Sequence, residues 1–163
     1  MCGIVGITST IITGISTVGV AVSDLVDNAN FIAGTKVTGY GDAASQVVVD
    51  QTSTNTSAVS GSAIVNFLGM TTAYTSAAAT KSILIGGTFA NNTSSSVNLT
   101  VEIHDASAGI QAAIASKIPV PTGSSFVISD AGKSVLEATD EVRVFCDTAN
   151  AIDVNLSILT GVS

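Results

Sequence analysis

Residues 96–104 read Ser96-Val97-Asn98-Leu99-Thr100-Val101-Glu102-Ile103-His104. Apolar and polar side chains alternate without a break, Val97, Leu99, Val101 and Ile103 against Asn98, Thr100, Glu102 and His104. Successive side chains on an extended chain point to opposite faces, so this stretch is a strand with one buried and one wet face. Ile152–Ile158 repeats the pattern, with Ile152, Val154, Leu156 and Ile158 against Asp153, Asn155 and Ser157.

Working outward, further strands are expected over Lys81–Ala90, Ile110–Ile118, Ser124–Ser129, Ser134–Ala138 and Glu141–Cys146, with a short apolar run at Ala63–Leu68. Gly86-Gly87 marks a bulge or a close backbone approach, and Pro119 and Pro121 mark a loop or a sheet edge. Asp130–Lys133 joins two of the short strands at a turn. Seven or so short strands separated by polar turns indicate an all-β fold, an antiparallel β-sandwich or jelly-roll-like domain. No periodic helix long enough for βαβ units is present, and no repeat of fixed period.

Towards the N-terminus the character changes. Residues 1–23 carry no charged side chain. Their many Ser and Thr residues and the lack of basic flanks disfavour a membrane span. Ile4, Ile7, Ile11, Ile15, Val18, Val22 and Leu25 fall three or four apart, the seam of an amphipathic helix or short coiled coil. β-branched residues at both core positions tilt such a coil towards three or more strands. An extended arm or strand is the other option. The spacing therefore predicts an apolar docking or oligomerisation segment over 1–40, helical in preference to extended. A polar linker with one short strand at Ala44–Asp50 is expected over 41–62, and the β-sandwich over 63–163.

The chain has 163 residues, 46% hydrophobic but only 10% charged, with a net charge of −7. So little charge offers little repulsion between copies and suits a subunit packed against neighbours. Arg143 and four lysines form no basic stripe, which disfavours nucleic acid and anionic lipid as partners. No basic n-region opens the chain, so a secretory signal is not expected. Cys2 and Cys146 make no CxxC pair and no zinc set; Cys146 reads as a small core residue.

Three groups carry potential chemistry. Met1-Cys2-Gly3-Ile4-Val5-Gly6-Ile7 resembles the start of class II glutamine amidotransferases. The resemblance implies that Cys2, freed by loss of Met1, attacks glutamine with its own amine as base. The chain departs from that family downstream: Arg143 is the sole arginine, and no Asn-Gly dipeptide exists. Glu102, His104 and Asp105 are a carboxylate–imidazole grouping at one strand end, read here as a polar strand face because a second imidazole is missing. Asp140, Glu141, Asp147 and Asp153 flank strand ends without EF-hand spacing and read as loop charges.

The C-terminal half resembles small structural proteins of tailed bacteriophages. The resemblance lies in the order of Ile85-Gly86-Gly87-Thr88, the turn Asn91-Asn92-Thr93-Ser94, the strand Val97 to Ile103 and the run Ile118-Pro119-Val120-Pro121-Thr122-Gly123. Ser134 to Glu137, Thr139-Asp140-Glu141-Val142-Arg143-Val144 and a last alternating strand complete it. It implies a non-enzymatic virion protein, a capsid decoration or cement protein, with a neck, tail or fibre component as the alternative. The implied partners are copies of itself, a trimer among them, and other virion proteins such as a major capsid protein. It assigns no cofactor, catalytic residue or metal ligand.

Overall fold

The computed structural model describes residues 2–5, 8–54, 59–129 and 133–162, with side chains over 8–54, 64–129 and 133–162. Every regular element among them is a β-strand. The chain divides into two compact units, Met1–Gly69 and Met70–Ser163.

The first unit contains β1 (Cys2–Val5), β2 (Ile11–Thr13), β3 (Leu25–Asp27), β4 (Val37–Tyr40), β5 (Gln46–Val49), β6 (Val59–Ile64) and β7 (Asn66–Leu68). Five of them form a sheet in the order β4-β5-β2-β1-β6, and β3 pairs with β7. All pairs are antiparallel. Ile12, Ile15, Val20, Val26, Phe31, Val37, Val47, Val49 and Val65 are buried together as its core. Alternation explains β5, where Val47 and Val49 point inward and Val48 does not.

The helix expected across the first 25 residues is not found among the described residues. Ile11 lies in β2 and Leu25 in β3, while Ile15, Val18 and Val22 lie in the turns between them. Gly14 and Gly19 adopt φ of 71° and 80°, left-handed values that end any helical run. The β-branched residues around them favour extended chain. The boundaries differ as well. The short strand expected at Ala44–Asp50 is β5, but its Val47 and Val49 belong to the core of the first unit, and the division falls at Gly69/Met70, not at 40 and 62.

The second unit contains β8 (Thr71–Thr75), β9 (Lys81–Asn91), β10 (Val97–Asp105), β11 (Ile110–Val120), β12 (Ser125–Ile128), β13 (Ser134–Leu136), β14 (Glu141–Cys146) and β15 (Ile152–Val162). One sheet runs β11-β10-β14-β8. In the other, β9 is central, with β15 on one side and β12 and β13 on the other. Again all pairs are antiparallel. Val97, Leu99 and Val101 of β10 and Val142 and Val144 of β14 share one core with Leu84 and Phe89 of β9, Ile128 of β12 and Leu136 of β13. β12 and β13 do not pair as a hairpin. Both lie along the same side of β9, against Gly87–Ala90 and Ser82–Leu84 respectively. At Gly86 the backbone is so close that a Cβ would sit 2.8 Å from the Ile128 carbonyl, and the β9–β15 register shifts there, as the Gly-Gly pair suggests. Pro119 lies on β11, an edge strand, where its missing N–H costs no sheet hydrogen bond.

One turn occurs in both units. Val20-Ala21-Val22-Ser23-Asp24-Leu25-Val26 and Leu136-Glu137-Ala138-Thr139-Asp140-Glu141-Val142 fold alike. Ala21 N donates to Asp24 Oδ2 at 2.8 Å, and Glu137 N donates to Asp140 Oδ2 at 2.9 Å. Asp24 N and Asp140 N donate back to the carbonyls of Ala21 and Glu137 at 3.2 Å. Ser23 and Thr139 take φ of 79° and 70°. Each then exchanges hydrogen bonds with a neighbouring strand end, Ser23 N to Val37 O and Val37 N to Asp24 O in one case. Thr139 N to Ser76 O and Ser76 N to Asp140 O make up the other. Both carboxylates are buried, which is tolerable because backbone donors take up their charge.

Candidate functional site

Two solvent-facing sheet surfaces of the second unit hold the side chains that the core does not use. On β10 and β14, the faces turned away from the core carry half-buried Glu102, His104, Glu141 and Arg143, with Glu102 opposite Arg143 and His104 opposite Glu141. Arg143 Nε donates to Glu141 Oε2 at 2.6 Å, and Thr72 Oγ1 on β8 donates to the same oxygen at 3.3 Å. His104 Nδ1 stands 3.8 Å from that oxygen and, buried, has no hydrogen-bond partner. The hydrogen bond from Arg143 chiefly holds the Glu141 carboxyl below its ordinary value, burial opposing it.

Glu102, His104 and Asp105, read from the sequence as a polar strand face, do not form one cluster. Glu102 and His104 do share a face, but the carboxylate beside His104 is Glu141. Asp105 is occupied in the next turn, accepting from Ala108 N at 2.9 Å and Ser107 Oγ at 2.8 Å, contacts that lower its pKa. With its charge shared by Arg143, Glu141 is a weak proton acceptor, and its hydrogen bonds to Arg143 and Thr72 tie β14 to β8.

A folded pKa below the unfolded one means that the Glu141 contribution is complete above about 4.5 and is lost as pH falls through the lower folded value. Replacing Arg143 with Gln is expected to move the Glu141 midpoint up towards 4.5, as read by carboxyl-carbon NMR titration. An unmoved midpoint would show that Arg143 is not the cause.

The second surface is the outer face of the sheet centred on β9. Val135 on β13 and Leu159 on β15 both pair with Ile83, so the three stand in one row across three strands. Val135 is 58% and Leu159 51% exposed. Beside this row, Ile85, Val127, Ser129, Asn155 and Ser157 surround an open cavity of about 310 Å³ whose floor is Gly86 and Gly87. The surface is apolar at one end and polar at the other. Its charged side chains stand towards the strand ends, Lys81 paired with Glu137 at 3.0 Å and Asp153 on the residue opposite Ala90.

The residues proposed from spacing as a docking seam do not form one face. Ile15 is buried in the first core, Leu25 is half-buried, and Ile11, Val18 and Val22 are exposed. Ile4 lies in β1, with its side chain outside the described residues, and Ile7 lies outside them altogether. The Cys2 backbone pairs with Ile64 in β6; its side chain is likewise outside the described part. Cys146 is half-buried against the second core, and burial raises its thiol pKa, as expected of a packing residue.

Asp140 caps the turn described above. Asp147 accepts both Asn98 N at 2.9 Å and Asn98 Nδ2 at 2.7 Å, and Asp153 accepts Asn92 Nδ2 at 3.2 Å. Among the described residues, no three His, Cys, Asp or Glu side chains are grouped to hold a metal ion, and no helix is long and apolar enough to cross a membrane.

Spacing missed the row of Val135, Ile83 and Leu159, although a signal was present. Ile83-Leu84-Ile85 and Ile158-Leu159 break the alternation by placing apolar side chains on both faces. Compared with family models, curated proteins and solved structures, the chain has no significant match.

Proposed function

We propose that this protein is a non-enzymatic structural subunit of a tailed-phage particle, a capsid decoration or cement protein held in place by protein–protein contacts. In this proposal the facing sheets of the second unit make up a β-sandwich of the jelly-roll kind. The observation that carries the proposal is the apolar row in which exposed Val135 and Leu159 flank a half-buried Ile83, set on a chain with 10% charged residues. Apolar side chains aligned across three strands gain free energy only when another surface covers them. The feature order of residues 81–163 supplies the kind of particle. Its partners are copies of itself and a major capsid protein, and it needs no cofactor.

Density-gradient fractionation of particles, followed by immunogold electron microscopy against the chain, tests the proposal. Label over the capsid is expected. Label confined to the neck, tail or fibres would favour the alternative placement, and a chain that never bands with particles would overturn the proposal.

A further inference from the structure

We propose that β15 is a self-pairing edge, joining the second unit to the same unit of another copy through an antiparallel β15–β15 contact about a two-fold axis. The inference stands apart from the particle proposal, because it concerns the chain alone in solution.

It begins with the backbone. Among the described residues β9 is the only strand paired with β15. Asn92 N donates to Ala151 O at 3.0 Å, so Ala151 turns towards β9. Asn91, the partner of Ile152, donates instead to Ser124 O on the far side, so the Ile152–Asn91 pair is one whose backbone groups point away from each other. Alternation then aims the N–H and C=O groups of Ile152, Val154 and Leu156 outward from the sheet. No hydrogen bond from another described strand reaches them.

Exposed edges are normally guarded by lysine, proline or short length. The other long edge, β11, carries Lys117 with φ of 51° and Pro119. β12 and β13 are four and three residues long. β15 is eleven residues long, contains neither lysine nor proline and has one charge, Asp153. Its core-side row is also unfinished: Val154, between Ile152 and Leu156, is 40% exposed.

The strand is complementary to itself. Setting Val154 opposite Leu156 of the copy places Ile152 opposite Ile158 and Asn155 opposite Asn155. Asp153 then faces Ser157, a hydroxyl donor, and no like charges meet. All the outward-pointing residues fall opposite one another, as hydrogen-bonded pairs require. A closed two-fold contact of this kind uses up both edges and stops at the dimer.

Sedimentation velocity of the full chain across the micromolar range tests this, beside the variants Val154→Pro and Val154→Lys. Proline there removes an outward N–H without touching the β9 ladder, and lysine places like charges near the two-fold. A reversible wild-type dimer is expected, with both variants monomeric and unfolding near the temperature the wild type shows when diluted to the monomer. Should the proline variant not fold, the lysine variant decides. In the wild type alone, the Val154 and Leu156 amides are expected to exchange at least tenfold more slowly as concentration carries the chain into the dimer. A wild type that stays monomeric, oligomers unchanged in a folded variant, or amide exchange indifferent to concentration would overturn the proposal.

Discussion

Replacing Phe89 with alanine is expected to destabilise the second unit by about 3–5 kcal/mol. Phe89 lies in the C-terminal half of β9 and is the largest fully buried side chain among the described residues. Its ring centroid lies 6.0 Å from that of Phe126 on the adjoining β12, with the planes tilted by 38°. The neighbouring strand passes Gly87, where a Cβ would press on Leu156, so the backbone on this side has little freedom to collapse into the space. For a domain of this size each kcal/mol moves the midpoint by about 4–8 °C, so a fall of ~12 °C or more should appear in the second unit's thermal transition. Val135→Ala, at an exposed position on the same sheet, should stay within ~0.5 kcal/mol of wild type. Equal effects from the two would mean that the core does not lie between these sheets.

The second large effect is expected at Asp140. Its carboxylate accepts Glu137 N at one oxygen and Ala106 N, at 3.2 Å, at the other. Asp140→Ala leaves two backbone donors without their partner in a buried turn, a loss of about 2–4 kcal/mol by chemical denaturation. Asp140→Asn keeps one acceptor oxygen, so it should lose roughly half as much. Asp24→Ala removes the corresponding carboxylate of the first unit, with its bond from Ala21 N, and should cost ~1–2 kcal/mol. Similar losses for the alanine and asparagine variants at Asp140 would contradict the role given to its oxygens.

The strands that the sequence announces are those whose side chains alternate between core and water. Val97–Asp105 and Ile152–Val162 are legible for that reason, and Gly86-Gly87 and Pro119 are legible because only special backbone positions accept them. β8, Thr71–Thr75, went unseen because its residues are mostly exposed threonines whose strand character is set by pairing with β14. The first unit was misjudged because a spacing of three or four residues arises in short strands and turns as readily as in a helix. Gly14 and Gly19 carried the contrary signal.

The shared turn was hidden for another reason. Its two copies agree only in a buried apolar residue at the start, a Ser or Thr with positive φ, an aspartate and a buried valine at the end, too little to register as a repeat. The apolar row on the outer face was partly written in the doubled apolar pairs Ile83-Leu84 and Ile158-Leu159. That Val135, Ile83 and Leu159 stand side by side depends on the register of three strands, which no local pattern encodes.

The most direct test of a contact role is competitive incorporation into particles of the wild type and the double variant Val135→Asp/Leu159→Asp. Both positions are exposed, so the variant should remain folded with nearly unchanged stability. A folded variant depleted at least tenfold in particles relative to wild type is the predicted result. Incorporation at parity would contradict it.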